Sequence, residues 1–432
     1  MLKLLGGAIA HLTRAISRLF IFGLVVLLSA TTATAFPSPA LAVSTGGIID
    51  MVFVVDESGS MDTEHQWLKE AVVDLEAALT AAGVGAGDTA EGQNRYGLVG
   101  FGSSKGQRTR YPVGGNDFGT SEDLVVALDQ LELSGSQEDG YAGMDEALDY
   151  DFRAQAGVNI VLVTDESRSN TDSSVTYQTL VDKFAAKRGL LNAVVNLSLK
   201  DGANASAVGV DGDENAYIPD GSGGYTESTG GVPGSGSGDT KEDYADLAWD
   251  ITTNGAVGAV WDLNQLRSGG NLAESFSNAF AAVKVEEAIA AAPVILTDED
   301  KDFQVCARSA DGQLVYSIVE EAGGGDYLFT TSGTWQSGDG EEYRADGTGA
   351  TPAEGSGFAY PDKYEYSLVV KDAKYGQSYQ LAITPELPMY TDDYNVFIMN
   401  DVVGQYGDND GCLQVHAQFC NALGDQENSR CN

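Results

Sequence analysis

Basic side chains are scarce in this sequence of 432 residues, where 24 Lys and Arg stand against 64 Asp and Glu and the formal net charge is −40. Such a surface repels a phosphate backbone, so we expect no nucleic-acid partner. Histidine is rarer still, with three residues. The chain also lacks G-x-S-x-G, H-E-x-x-H and phosphate-loop motifs, and we expect no enzyme activity. A carboxylate pair acting on glycosides stays open, because acidic residues are everywhere.

Long apolar runs are also missing, except near the N-terminus. There, three basic residues precede a twelve-residue apolar run from Leu19 to Ala30 and two A-x-A sequences, the second ending at Ala42. This order predicts a secretory signal peptide over residues 1–42, cleaved after Ala42. An uncleaved anchor is the alternative, but twelve residues are short for a span of about 20. We therefore expect a secreted or cell-surface protein with no membrane span in the mature chain.

Cysteine is limited to four residues, all in the last third of the chain: Cys306, Cys412, Cys420 and Cys431. An even number in an exported protein favours disulfides, and four cysteines allow three pairings. The alternative is a zinc site, because Cys412, His416 and Cys420 recur at four-residue spacing.

The acidic residues are spread over the whole chain rather than gathered in one tail. Without residues 1–42 the net charge becomes −43, of which −26 belongs to residues 43–290 and −17 to residues 291–432. Apolar residues make up 43% of the chain, an ordinary value for a folded protein. The pattern is typical of a solvated folded surface.

From Ile48 onward, apolar runs typical of strands alternate with amphipathic stretches typical of helices. The run from Ile48 to Val55 is apolar except at Asp50, as in a strand buried on both faces. After it, Leu68, Val72, Leu75 and Leu79 fall on one helical face. This alternation predicts a doubly wound, mostly parallel, Rossmann-like α/β domain over residues 43–290. Residues 201–240 are rich in Gly, Ser and Asp and are predicted to be a long surface loop.

The pattern changes after residue 290. Short runs such as Phe303 to Ala307, Leu314 to Val319 and Tyr394 to Met399 are separated by Gly-rich turns. These runs predict a smaller all-β, sandwich-like domain over residues 291–432 that contains all four cysteines.

Two predicted strand ends carry oxygen-bearing side chains. The first strand ends at Asp56, and Ser58 and Ser60 follow it in a D-x-S-x-S pattern; Asp165 follows another strand that ends at Thr164. The carboxyl ends of parallel strands share one edge of the sheet, which is where such folds bind ligands. Two hydroxyls and two carboxylates at one edge suit a hard divalent cation.

The segments MVFVVDESGSM, YGLVGFG and NIVLVTDE together resemble a von Willebrand factor type A (VWA) domain over roughly residues 47–285. The resemblance implies a metal-ion-dependent adhesion site, with Ser58 and Ser60 as direct ligands and Asp56 and Asp165 acting through water or hydrogen bonds. It also implies an open coordination position for a carboxylate of the partner. Neutral hydroxyl ligands leave the cation electron-poor, which favours such an external acid.

The third loop departs from the family pattern. The family has a threonine here, but this sequence reads Ser136-Gln137-Glu138, and by distance to Met144 it is Gln137 that occupies the threonine's place, with Ser136 beside it. Either a serine hydroxyl substitutes, or Gln137 or Glu138 offers an oxygen. A carboxylate ligand would lower the affinity of the metal for an external acid.

These observations indicate an exported adhesion or protein-binding module that uses Mg²⁺, or Mn²⁺ or Ca²⁺, to bind a carboxylate of a protein or extracellular-matrix ligand. The alternative is a structural component that self-assembles into a layer or filament bridged by cations, and a third role is a subunit or chaperone of a secreted complex. For the motif itself, the alternative is that Asp56, Ser58 and Ser60 only cap the following helix. His65 is predicted to be a solvated residue in the first turn of that helix.

Overall fold

The computed structural model describes residues 47–431 apart from 88–89, 105, 154, 254–255, 292, 308–311, 318, 320–323, 339, 349–352, 354–356, 373–374, 391–393, 404–405, 407–408 and 423–430. The predicted signal peptide, residues 1–42, lies outside the described residues. Of the helices in the described ranges, none combines the length and the apolar character that crossing a bilayer requires.

The region up to residue 291 combines helices with strands. Its α-helices are α1 (Asp62–Ala81), α2 (Ser121–Ala127), α3 (Gly140–Ala147), α4 (Tyr177–Lys187), α5 (Asp246–Asp250), α6 (Leu263–Arg267) and α7 (Gly270–Ala291). Its strands are β1 (Ile48–Asp56), β2 (Arg95–Ser103), β3 (Gly106–Tyr111), β4 (Ala156–Thr164), β5 (Gly189–Val195), β6 (Leu197–Lys200), β7 (Ser206–Ala207), β8 (Gly209–Asp211), β9 (Ala216–Pro219), β10 (Tyr225–Ser228), β11 (Val232–Gly236), β12 (Thr252–Thr253), β13 (Ala256–Val257) and β14 (Ala259–Asp262). Short 3₁₀ turns lie at Ala90–Gly92 and Leu128–Gln130, and a π turn at Lys241–Ala245 precedes α5.

A nine-stranded sheet in the order β10-β9-β8-β14-β5-β4-β1-β2-β3 forms the centre of this region. The five strands from β14 to β2 pair in parallel, whereas β3 at one edge and β8, β9 and β10 at the other pair antiparallel. The α/β fold with helices on both faces is confirmed: its central strands are parallel as predicted, and antiparallel strands at both edges make the whole sheet mixed. Residues 201–240, predicted as a loop, contain the short strands β7 to β11, of which β8, β9 and β10 form one of these edges.

Two apolar cores cover the two faces of the sheet. One core packs α1 and α7 against side chains such as Phe53, Val161 and Trp261. The other packs α3, α4 and α5 against Val54, Ile160 and Val260. These side chains alternate along each strand, so the two faces are both buried, as the continuous apolar runs predict. Gly143 of α3 allows a close approach, because a Cβ there would lie 2.7 Å from Val54 Cγ1 and 3.1 Å from Phe101 Cδ1.

Residues after α7 are rich in strands, as predicted. They are β15 (Val294–Leu296), β16 (Lys301–Cys306), β17 (Gln313–Ser317), β18 (Gly324–Ser332), β19 (Trp335–Gln336), β20 (Glu342–Tyr343), β21 (Leu368–Asp372), β22 (Ser378–Gln380), β23 (Glu386–Tyr390), β24 (Tyr394–Met399) and β25 (Cys412–Ala422). A five-stranded sheet (β15-β17-β24-β21-β22) and a four-stranded sheet (β16-β25-β18-β23) share one apolar core. Phe397 of the first sheet contacts Phe303 and Phe329 of the second at ring-centroid distances of 5.4 and 5.2 Å.

Disulfides join all four cysteines, as Cys306–Cys412 and Cys420–Cys431. The first bond links neighbouring residues of the paired strands β16 and β25. The zinc alternative is wrong, because both cysteines of the proposed ligand set are oxidised and His416 Nδ1 lies 2.8 Å from Asp302 Oδ1 instead. The four-residue spacing of Cys412, His416 and Cys420 reflects one face of a long strand.

Candidate metal centre

Asp56 ends β1 at the carboxyl edge of the sheet and is fully buried. Its Oδ1 accepts a hydrogen bond from the backbone N–H of Ser58 at 2.7 Å, and its Oδ2 accepts one from Thr164 Oγ1 at 2.8 Å. Thr164 is the last residue of β4, the strand next to β1. The carboxylate of Asp56 is therefore held between two strand ends by two donors.

The two serines of the first loop (residues 56–61) lie beside this carboxylate. Ser58 Oγ and Ser60 Oγ are 3.1 Å apart, and Ser60 Oγ donates to Asp165 Oδ1 at 3.1 Å. The structure thus brings Asp56, Ser58, Ser60 and Asp165 together at one rim of the sheet, although 105 residues separate Ser60 from Asp165 in sequence. This rim is the predicted position of the metal site.

The helix-capping alternative does not explain the motif. Helix α1 begins at Asp62 with Met61 at the N-cap, and no side chain caps it by a hydrogen bond. The serine hydroxyls are directed to each other and to Asp165 instead.

Residues 131–139 form the third loop, in which the three candidate side chains differ in burial. Ser136 and Gln137 are exposed, whereas Glu138 is 2% exposed. Asp139 anchors the loop, because its carboxylate accepts hydrogen bonds from Arg168 Nε at 2.7 Å and from the backbone N–H of Asp172 at 2.9 Å. Glu138 is thus the third-loop candidate that the fold directs inward.

The carboxyl group of Glu138 lies in the field of three other acids. Burial and then the negative charges of Asp56, Glu166 and Asp165 raise the pKa of Glu138 to about 8. Its Oε2 atom is buried and has no hydrogen-bond partner. Burial also raises the pKa of Asp56 to about 6, although the hydrogen bonds from Ser58 and Thr164 lower it. A bound cation would stabilise this group of acidic side chains and satisfy the unpaired oxygen of Glu138.

Arg267 at the end of α6 neutralises part of this charge. Its Nη2 donates to Asp165 Oδ2 at 3.0 Å and to the backbone carbonyl of Ser60 at 3.1 Å, and its Nε donates to the buried Glu64 at 2.7 Å. The guanidinium therefore holds Oδ2 of Asp165. Oδ1, the other carboxylate oxygen, stays bonded to Ser60 Oγ at the rim.

His65 differs from the prediction. It is 7% exposed, and its Nε2 lies 2.8 Å from the carbonyl oxygen of Asp56, so it is not a solvated residue. Burial lowers the pKa of His65. The imidazole thus stabilises the backbone of the first loop.

The donor set at the rim fits a hard divalent cation. It consists of two hydroxyls and of carboxylates, and oxygen donors are what Mg²⁺, Mn²⁺ and Ca²⁺ take. Within the described ranges, no three His, Cys, Asp or Glu side chains are grouped closely enough to hold a metal by themselves.

Sequence reasoning missed three contributors: Thr164, Arg267 and Glu166. Thr164 precedes Asp165 directly, so a polar residue at a strand end was its only signal. Arg267 lies 102 residues from Asp165, and a single basic residue in an acidic chain gives no pattern from which its partner could be predicted.

Comparison with known proteins supports the fold of the α/β region. The family model of the von Willebrand factor type A domain matches residues 50–218, and the α/β region has that fold. No curated protein matches the sequence significantly.

Several solved structures are similar at low sequence identity. Proximal thread matrix protein 1 from the mussel byssus, described with a zinc-occupied MIDAS motif, is 18% identical over 35% of this chain and 36% of that chain, with a TM-score of 0.28. The pilus adhesin SpaC from Lactobacillus rhamnosus GG is 13% identical over 86% of this chain and 39% of that chain, with a TM-score of 0.33. A von Willebrand factor type A structure from Catenulispora acidiphila is 11% identical over 86% of this chain and 58% of that chain, with a TM-score of 0.34. This chain thus spans 36% to 58% of their lengths, and we base no functional argument on these similarities.

Proposed function

We propose that the α/β region is a divalent-metal-dependent protein-binding or adhesion module of an exported protein. Ser58 and Ser60 would hold the ion directly, and Asp56 and Asp165 would act through water or hydrogen bonds. The observation that supports this proposal is the meeting of two serine hydroxyls with the carboxylates of Asp56, Asp165 and Glu138 at one rim. The ion would be Mg²⁺, or Mn²⁺ or Ca²⁺, all of which prefer oxygen donors.

The partner would supply a carboxylate to the ion, as an acidic side chain of a protein or extracellular-matrix ligand. Glu138 changes the strength of that interaction. A negatively charged third-loop ligand makes the ion less electron-poor than a threonine hydroxyl would. We therefore propose that the partner's carboxylate competes with Glu138 for the last coordination position.

Calorimetry on the full chain tests the metal site. Titration with Mn²⁺ or Mg²⁺ is expected to give one binding event that EDTA reverses, and Ser58→Ala and Ser60→Ala are expected to weaken it by at least about tenfold, or 1.4 kcal/mol. Ser332→Ala is the matched control, because Ser332 is exposed at the end of β18 in the β-rich region. Equal metal binding by all three variants would contradict the site.

The role of Glu138 is tested with an acidic peptide in the presence of saturating Mg²⁺. Glu138→Thr replaces the buried carboxylate of the third loop by a neutral hydroxyl and is expected to bind an oligo-glutamate peptide more tightly than the natural protein. An oligo-glutamine peptide is the control and should bind neither. Light scattering on the same samples checks the alternative function: growth of large particles with added cation, without peptide binding, would favour a structural layer or filament.

A further inference from the structure

A polar cluster lies in the apolar core between the central sheet and α7, separate from the rim. It consists of Lys284 and Glu287 of α7, Asn159 of β4, Asn192 of β5 and Trp261 of β14. Lys284 and Asn192 are fully buried, and Asn159 and Glu287 are each 5% exposed.

Glu287 connects the amine to both amides. Its Oε2 accepts hydrogen bonds from Lys284 Nζ, from Asn159 Nδ2 at 2.9 Å and from Asn192 Nδ2 at 2.8 Å. The positions follow from the fold. Residues 284 and 287 are neighbours on one helical face, and the pairing of Val161 with Asn192 places both asparagines on the same face of the sheet.

The surroundings of the amine are dry and aromatic. Lys284 Nζ lies 5.7 Å from the centroid of the Phe280 ring, and Trp261 contacts Phe276 and Phe280. Burial lowers the pKa of Lys284 to about 8, although Glu287 opposes this effect. About a tenth of the amine is therefore neutral at pH 7, and the neutral amine is a nucleophile.

A contribution to the stability of the fold does not by itself explain why this polar cluster is present. Glu287 Oε1 and Asn159 Oδ1 are buried without hydrogen-bond partners. A partly satisfied buried network is worse for stability than an apolar core. The amine of Lys284 and the amide of Asn192 are, however, both hydrogen-bonded to Glu287 Oε2, and an acyl transfer requires an amine and an amide held at one proton-accepting group.

We propose that Lys284 and Asn192 form a covalent amide bond between their side chains. Nζ of neutral Lys284 attacks Cγ of Asn192, and Glu287 accepts the proton from Nζ and delivers it to Nδ2. The Cγ–Nδ2 bond then breaks, the Nζ–Cγ bond remains, and one molecule of ammonia leaves. The step conserves electrons and uses no oxidant, metal or cofactor.

Trp261 selects between the two asparagines. Its Nε1–H donates to Asn192 Oδ1 at 3.0 Å, where negative charge develops when the amine attacks. Such a preorganised donor stabilises the developing oxyanion. Oδ1 of Asn159 has no corresponding donor. Asn159 therefore orients Glu287, and Asn192 is the residue that reacts.

Peptide mapping of the full, folded chain tests the proposal. After reduction of the disulfides, denaturation and digestion with trypsin, we expect a branched product in which residues 189–200 are joined to residues 268–301, with no cleavage at Lys284. Its mass is lower than the sum of the two peptides by one ammonia. Unmodified residues 189–200 and 268–284 as the dominant peptides would overturn the proposal.

Variants identify the reacting groups. Glu287→Gln and Asn192→Ala are expected to leave less than about a tenth of the cross-link. Glu274→Gln, at an exposed position of the same helix, is the control and is expected to keep it, and circular dichroism checks that each variant folds. Loss of water within residues 268–301 would indicate a bond from Lys284 to Glu287 and overturn the assignment. A branch carrying residues 154–168 would overturn it in favour of Asn159. Because the peptide map of the natural chain decides by itself, a variant that fails to fold does not prevent the test.

Discussion

Replacement of Asp56 by asparagine is expected to make the metal-free protein more stable at neutral pH, even though it removes a residue of the metal site. Asp56 is fully buried beside Asp165 and Glu138. The amide of asparagine carries no charge but can still accept the hydrogen bond from the backbone N–H of Ser58. The variant therefore isolates the cost of the buried negative charge.

The magnitude follows from the pKa of this group. Burial raises the pKa of Asp56 from 3.8 to about 6, so the folded protein holds its proton more tightly than the unfolded chain does. The resulting stabilisation is fully present below pH 3.8 and is lost as the pH rises through about 6. The loss amounts to about 3 kcal/mol, because one pKa unit corresponds to about 1.4 kcal/mol.

Urea denaturation in EDTA at pH 4 and pH 7 measures this effect. The difference in free energy of unfolding between Asp56→Asn and the natural protein should shift by about 2.4 kcal/mol in favour of the variant between the two pH values, because the unfolded carboxyl is already partly ionised at pH 4. Mg²⁺ at about 100 times its Kd should return about 2.7 kcal/mol to the natural protein alone at pH 7. Asp182→Asn, which changes an exposed carboxylate of α4, is the control for net charge.

Parallel pH profiles of Asp56→Asn and the natural protein in EDTA would refute the reasoning. They would mean that the carboxylate is solvated or paired in the folded protein. A parallel profile in EDTA combined with a normal Mg²⁺ effect would contradict the electrostatic account but leave the metal site intact.

Three further perturbations act on the rim and on the framework. Arg267→Gln removes a positive charge from the rim, so the Mg²⁺ affinity measured by calorimetry should rise about threefold to tenfold. The free energy of unfolding in urea should fall by about 2 kcal/mol, because the buried Glu64 loses its partner. Unchanged Mg²⁺ affinity would argue against an ion near Asp165. Gly143→Ala places a methyl group against β1 and should cost about 1–3 kcal/mol and weaken Mg²⁺ binding by displacing α3 and the third loop; a native-like melting temperature would contradict it. Replacing the Cys306–Cys412 pair by alanines should lower the free energy of unfolding by about 4 kcal/mol, and replacing Cys420–Cys431 should lower it by about 3 kcal/mol or less, because the first bond closes the longer loop. Equal losses measured by urea denaturation would argue against this order.

The parts of the fold that could be predicted are those encoded in local patterns. Continuous apolar runs such as Ile48 to Val55 predicted buried parallel strands, and the strand ends located Asp56 and Asp165 at one rim. Residues 201–240 could not be predicted in this way. Their strands are two to five residues long, and they form by pairing with β14, with β6 and with each other rather than by local propensity.

Strand β25 shows the same limit in the β-rich region. Its alternation of Leu413, Val415, Ala417 and Phe419 is clear in sequence, but the cysteines and histidine between them suggested a metal site instead. Pairing with both β16 and β18 determines its role in the sheet. The disulfide partners are likewise set by which strands become neighbours.

The candidate site likewise has a part that the sequence predicts and a part that it does not. The first loop and Asp165 were predictable because β-strand ends and the D-x-S-x-S motif are local features. The choice among Ser136, Gln137 and Glu138 was not, since it depends on which side chain the anchored third loop turns inward.

By itself, the sequence determined the acidic surface, the α/β region followed by a β-rich region, and the rim at which Asp56, Ser58, Ser60 and Asp165 meet. These properties follow from composition, from periodicity and from the geometry that all parallel sheets share. Only the tertiary structure decided the burial of Glu138, the contact of Arg267 with Asp165, the disulfide pairs and the bonding of Lys284 and Asn192 to the same oxygen of Glu287. Each of these depends on contacts between residues far apart in the chain, where the free energy of burial and charge is set by neighbours that no local pattern contains.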